Sequence, residues 1–120
     1  MTSEMANMES MKRDLLTEMA DDHVGLWTVR GYVGDEMPGA DEAALRKKTL
    51  DVLYDMLRSG AIEAGFPDSN GRDFHRWPFA PEVVIDYIKA RWKPHGPPPK
   101  PGEIAWFTTP TRAFQAARSP

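Results

Sequence analysis

Apolar residues recur at helical spacing along several stretches of this chain. Met11, Leu15, Leu16 and Met19 predict a first helix from Ser10 to Ala20, with Ser10 as its N-cap. Leu26, Trp27, Val29 and Val33 predict a second helix from His23 to Val33, capped by Asp21 or Asp22. Gly25 and Gly31 count against it, since glycine inside a helix costs ~1 kcal/mol relative to alanine. The third helix has the clearest borders. Asp41 is a good N-cap, Glu42 suits the positive end of the helix dipole, and Gly60 follows the end at Ser59. Its apolar stripe is Leu45, Thr49, Val52, Leu53, Met56 and Leu57. A fourth helix runs from Pro81, a natural first residue, to Trp92, with Val84, Ile85, Ile88 and Trp92 facing inward.

Between these helices the pattern changes to short extended runs. Ala61–Phe66 and Asp73–Trp77, separated by the turn-forming Pro67–Gly71, predict a β-hairpin. The proline-rich Pro94–Gly102 must be stiff and extended. A closing strand follows from Ile104 to Thr108, with Ile104 and Trp106 on one face and Ala105 and Phe107 on the other. The expected organisation is a tail over 1–9, one α+β domain over 10–110 and a tail over 111–120. The fold expected is a winged-helix-like helical domain with a small antiparallel β-sheet and a helix inserted before the last strand. Most of the aromatics Trp27, Trp77, Trp92, Trp106, Phe66, Phe74, Phe79 and Phe107 are expected in the core.

Composition narrows the chemistry. With 41% hydrophobic and 28% charged residues the chain is not globally disordered. It has no cysteine, which excludes disulfides, thiolate metal sites and cysteine nucleophiles. No run approaches the ~20 apolar residues of a membrane helix and no signal-peptide pattern is visible, so a cytoplasmic location and no membrane partner are expected.

No nucleophile elbow, phosphate-binding glycine loop, H-E-x-x-H or dinucleotide motif is present, and neither an enzyme, a cofactor nor a metal site is expected. Asp21-Asp22-His23 reads as a helix break, because adjacent side chains do not converge. Asp73 and His75 share a strand face but fall short of the three protein ligands a zinc site needs. His95 lies among prolines. Arg91-Trp92-Lys93-Pro94-His95-Gly96-Pro97 fits a basic-x-x-Pro-x-x-Pro pattern, with a rigid crossover as the simpler reading.

Charge is more informative. Residues 1–66 carry 13 acidic and 7 basic side chains, a net −6; residues 67–120 carry 5 acidic and 8 basic, a net +3. The acidic half points to a non-enzymatic protein-binding domain. In its most concrete form this is an immunity- or antitoxin-type protein masking a basic toxin with Asp35, Glu36, Asp41, Asp51 and Asp55. The alternative partner is DNA, read by Arg46, Lys47 and Lys48 on a recognition helix with Arg72 and Arg76 on a wing. Overall acidity, and Asp51 and Asp55 following Lys47 on one helix face, oppose it. A third alternative is a structural or assembly subunit, for which self-association, for instance as a homodimer, is the clue.

GLW (Gly25–Trp27), LRSGAIEAG (Leu57–Gly65), WPFAPEVVIDYIKARW (Trp77–Trp92) and GEIAWFTTP (Gly102–Pro110) resemble segments of a group of small uncharacterised bacterial proteins. The resemblance implies a winged-helix-like fold and brings no activity or functional residue. The closing strand with its Thr-Pro step is similar to the last wing strand of winged-helix regulators, although Arg112-Ala113 replaces the usual glycine.

Overall fold

The computed structural model describes residues 3–70 and 73–110, with side chains from residue 7 onward. Helix α1 spans Ser3–Asp21, strand β1 Val24–Gly25, α2 Leu26–Glu36 and α3 Glu42–Arg58. Then come β2 Glu63–Pro67, β3 Phe74–Arg76, α4 Pro81–Arg91 and β4 Trp106–Thr108. The result is an α+β domain with an open antiparallel sheet in the order β1-β4-β2-β3. As expected, a helix is inserted between the hairpin and the last strand.

The sequence rules hold best where they are most local. Asp41 accepts the Ala44 N–H at 2.9 Å and caps α3, an interaction worth about 1 kcal/mol. At the other end Gly60 takes φ 81°, and the N–H groups of Gly60 and Ala61 return to the Leu57 and Met56 carbonyls, closing a Schellman motif. The stripe Leu45, Thr49, Val52, Leu53 and Met56 is buried, together with Leu50. Pro81 opens α4, whose Val84, Ile85 and Ile88 are buried.

Several boundaries differ from expectation: α2 runs on to Glu36 rather than ending at Val33, β4 starts at Trp106 rather than Ile104, and the starts of α1 and α2 also move. Helix α1 starts at Ser3 rather than Ser10, and residues 3–9 are not a tail; Met8 completes the buried row Met11, Leu15 and Met19. The second helix begins at Leu26, not His23. Val24 and Gly25 instead form β1, paired with Phe107 and Trp106 of β4. Gly25 has no side chain with which to cap α2, and the Leu26 N–H is satisfied by the Ala105 carbonyl at 3.0 Å. Asp22 accepts the His23 N–H, one residue on, instead of capping the helix.

The hairpin places Gly65 opposite Arg76 and Phe66 opposite His75. On its other side β2 pairs Ala64 with Phe107 and Gly65 with Trp106. The faces of the closing run are as expected: Ala105 and Phe107 are fully buried, Ile104 and Trp106 half-buried. The aromatics divide differently from expectation. Trp92, Phe107 and Phe74 are buried, while Trp27, Phe66 and Phe79 are exposed. The tail 111–120 and Arg72 lie outside the described residues.

Two glycines separate packing from propensity. A Cβ at Gly65 would lie 2.1 Å from the His75 carbonyl oxygen, and that backbone is held by the hairpin. Gly65→Ala is expected to destabilise by roughly 1–3 kcal/mol or more. A Cβ at Gly31 meets nothing within 4 Å, so Gly31→Ala is expected to stabilise by about 0.5–1 kcal/mol. Chemical denaturation of the two variants reads both signs.

Candidate functional site

Helix α2 presents one side to solvent. Trp27, Gly31 and Asp35 recur at i, i+4 and i+8 and are all exposed, whereas Leu26, Val29 and Val33 point into the core. Trp27 is 45% exposed. On the flank nearer α3, Arg30 is paired with Glu42, its Nε donating to Oε2 at 2.8 Å. On the flank nearer α1, the Tyr32 hydroxyl donates to Glu18. That bond, then burial, then the charges of Glu18, Asp14 and Asp35, push the phenol up to about 12. The shift is mainly the Glu18 hydrogen bond, with the charges of Asp14 on α1 and Asp35 on α2 adding to it.

The expected acidic residues do not form one patch. Asp35 belongs to this face, and half-buried Glu36 ends the same helix. Asp41 is spent on the α3 cap. Asp51 lies about half a turn round α3 from Glu42, which faces α2. It lines a separate groove with Tyr54, Glu82, Asp86 and Lys89 between α3 and α4. There Tyr54 donates to Glu82 at 3.0 Å. The Glu82 carboxyl is held below its usual range by a backbone hydrogen bond at the start of α4 and by Tyr54. Asp55 is exposed, 3.9 Å from Lys12 Nζ on α1. Sequence reasoning missed Asp14 and Glu18, whose approach to Tyr32 depends on how α1 crosses α2. It also placed Trp27 in the core.

The cations proposed for nucleic acid are partly engaged. Arg46 Nε donates to the Trp92 carbonyl at 2.7 Å, closing the C-terminal end of α4. Arg76 pairs with Glu63 at 3.1 Å across the hairpin. Lys47 is exposed and Lys48 half-buried. Asp73 binds back onto Asn70 in the turn, and His75 Nε2 lies 3.3 Å from Asp68. Among the described residues no three His, Asp or Glu side chains are grouped to hold a metal, and no helix is long and apolar enough to cross a membrane.

A second concave surface lies at the far end of α4. Phe66, Trp77 and Tyr87 form an edge-to-face series with centroid separations of 5.2 and 4.9 Å, and the Arg91 guanidinium sits 3.7 Å over the Tyr87 ring. Nearby, Ile104 adopts φ 75° at the centre of a turn closed by Ala105 N–H to Glu103 carbonyl at 2.9 Å. This is the rarer, strained form of the γ-turn, at a β-branched residue.

Comparison with protein-family models, curated proteins and solved structures finds no match to this chain. The reading of the site therefore rests on its own geometry.

The Tyr32 environment carries a pH signature. A phenol raised from its ordinary 10.0 to about 12 in the folded state favours the folded protein fully below pH 10, and that contribution is lost as pH rises to about 12. Over that window the wild type is expected to lose more stability than Tyr32→Phe, measured by denaturant unfolding. Tyrosinate absorbance of the native protein is expected to lose its latest-titrating component in Tyr32→Phe, and to shift it to lower pH in Glu18→Gln.

Proposed function

We propose that this is a non-enzymatic protein-binding domain that engages a basic partner, in the manner of an immunity or antitoxin protein, through the outer face of α1 and α2. The observation that carries the reading is the exposed Trp27 in line with Gly31 and Asp35 along α2, with Asp14 and Glu18 of α1 flanking the same helix at Tyr32. Tryptophan is enriched among the anchor residues of protein interfaces. Gly31 leaves the helix surface open, so a partner chain can approach the backbone. The surrounding carboxylates favour cationic side chains, steer encounter and select against acidic partners. Asp51 and Asp55, on α3, add to the long-range field rather than to the contact.

The test is affinity capture from the host's own extract, with wild type and variants compared side by side. A single stoichiometric basic protein is expected. Trp27→Ala should weaken its binding about 30-fold, the effect of losing a ~2 kcal/mol anchor. Asp35→Lys should chiefly slow association, and more so at low salt. Capture indifferent to both variants contradicts the proposal.

The alternative reading, a winged-helix DNA-binding regulator, draws on the succession of three helices followed by a hairpin, with Lys47 exposed near the start of α3. It has less support, because Arg46 and Arg76 have internal partners. It requires salt-sensitive duplex binding that Lys47→Glu combined with Lys48→Glu abolishes.

A further inference from the structure

The α1–α2 face leaves the concave surface at the end of α4 without a role. We infer that this groove is a separate docking site for an acidic peptide segment bearing one aromatic or large aliphatic side chain. Its volume, ≈ 460 Å³, falls within the range of clefts that enclose small ligands. Its lining is mixed: Phe66, Ile104 and the stiff run Pro97–Pro99 supply apolar surface beside charged side chains. The prolines lack N–H groups and are fixed before binding, so little conformational freedom is lost when the groove fills.

Charge complementarity identifies the occupant. Three cations, Arg91, Lys93 and Lys100, line the groove against one carboxylate, Glu103, in a chain whose net charge is −3. Glu103 is already engaged, since its Oε1 accepts the Lys100 backbone N–H at 2.7 Å. Arg91 lies in the last turn of α4, where it complements the helix dipole. Lys93 and Lys100 lie beyond that turn, so the dipole does not account for them. The groove also includes Trp92, 1% exposed, whose indole N–H has no hydrogen-bond partner among the described residues.

Other occupants fit less well. Successive bases need open ring faces, but the Tyr87 ring is covered by Arg91 and abutted by Trp77. A long polyanion would also meet the acidity of the rest of the chain, whereas a short peptide meets only the local field. The chain's own segment 111–120 carries Arg112 and Arg118 and no acidic side chain, so it has the wrong sign.

The test uses a short labelled peptide of one tryptophan flanked by glutamates, a glutamine-flanked counterpart and single-stranded oligothymidylate, titrated against the intact protein by fluorescence anisotropy. The glutamate peptide is expected to bind and to weaken with salt. Lys93→Glu combined with Lys100→Glu should weaken it about tenfold or more. Both lysines are exposed, so unchanged circular dichroism shows that the variant is folded. Phe66→Ala should weaken binding too. Asp35→Lys should leave it unchanged, which separates this site from the α1–α2 face. Absence of binding, equal binding of the glutamine peptide, indifference to the lysine variant, or binding of the oligonucleotide in place of the peptide each overturns the inference.

Discussion

The three residues of β4 hold this fold together. Phe107 is completely buried between β1 and β2, pairing with Val24 on one side and Ala64 on the other. Thr108 Oγ1, also buried, donates to the Met19 carbonyl at 3.1 Å near the end of α1. Just before the strand, the Ala105 carbonyl takes the first N–H of α2. One short strand thus satisfies the end of α1, the start of α2 and the inner edge of the hairpin. Those groups would otherwise be buried donors and acceptors without partners, each costing about 1–3 kcal/mol. Because β4 lies far along the chain from β1, it ties the helices, which also pack on one another, to the hairpin through partners distant in sequence.

That closure sets what the surface offers. With α1, α2 and α3 packed around the same core, the row Leu26, Val29 and Val33 is committed inward, and Trp27 is left on the outside. The same crossing of α1 and α2 brings Asp14 and Glu18 to Tyr32. Farther along, the chain must return from α4 to the sheet. It does so through the proline run and the strained turn at Ile104, which leaves a cationic groove where the crossover meets β2. The two surfaces carry opposite charge, and only the acidic one enters the functional proposal.

The legible parts of the sequence were those decided within a few residues. Asp41 and Gly60 fixed both ends of α3, Pro81 started α4, and turn residues between two short runs announced the hairpin. The parts that escaped depend on distant partners. Two residues of β1 are too few to show alternation, and followed by Leu26, Trp27 and Val29 they looked like the opening of a helix. Ser10 was read as a cap because residues 1–9 are polar and Met-rich, although Met8 extends the buried row of α1. Arg46 read as one of a basic trio, yet it closes a helix whose end is 46 residues away. The acidic face was half visible: Asp35 and Glu36 were identified, whereas Asp14, Glu18 and the exposure of Trp27 follow only from the packing of α1 on α2.

The central claim is that the α1–α2 face is where a partner sits. Carbodiimide footprinting of the protein's carboxylates, free and in complex with the partner it captures, tests this most directly, because it reads each acidic side chain in place. The account predicts that Asp14 and Asp35 lose reactivity in the complex while Asp51 and Asp86, in the α3–α4 groove, label as in the free protein. Protection of Asp51 and Asp86 with Asp14 and Asp35 unchanged would contradict it.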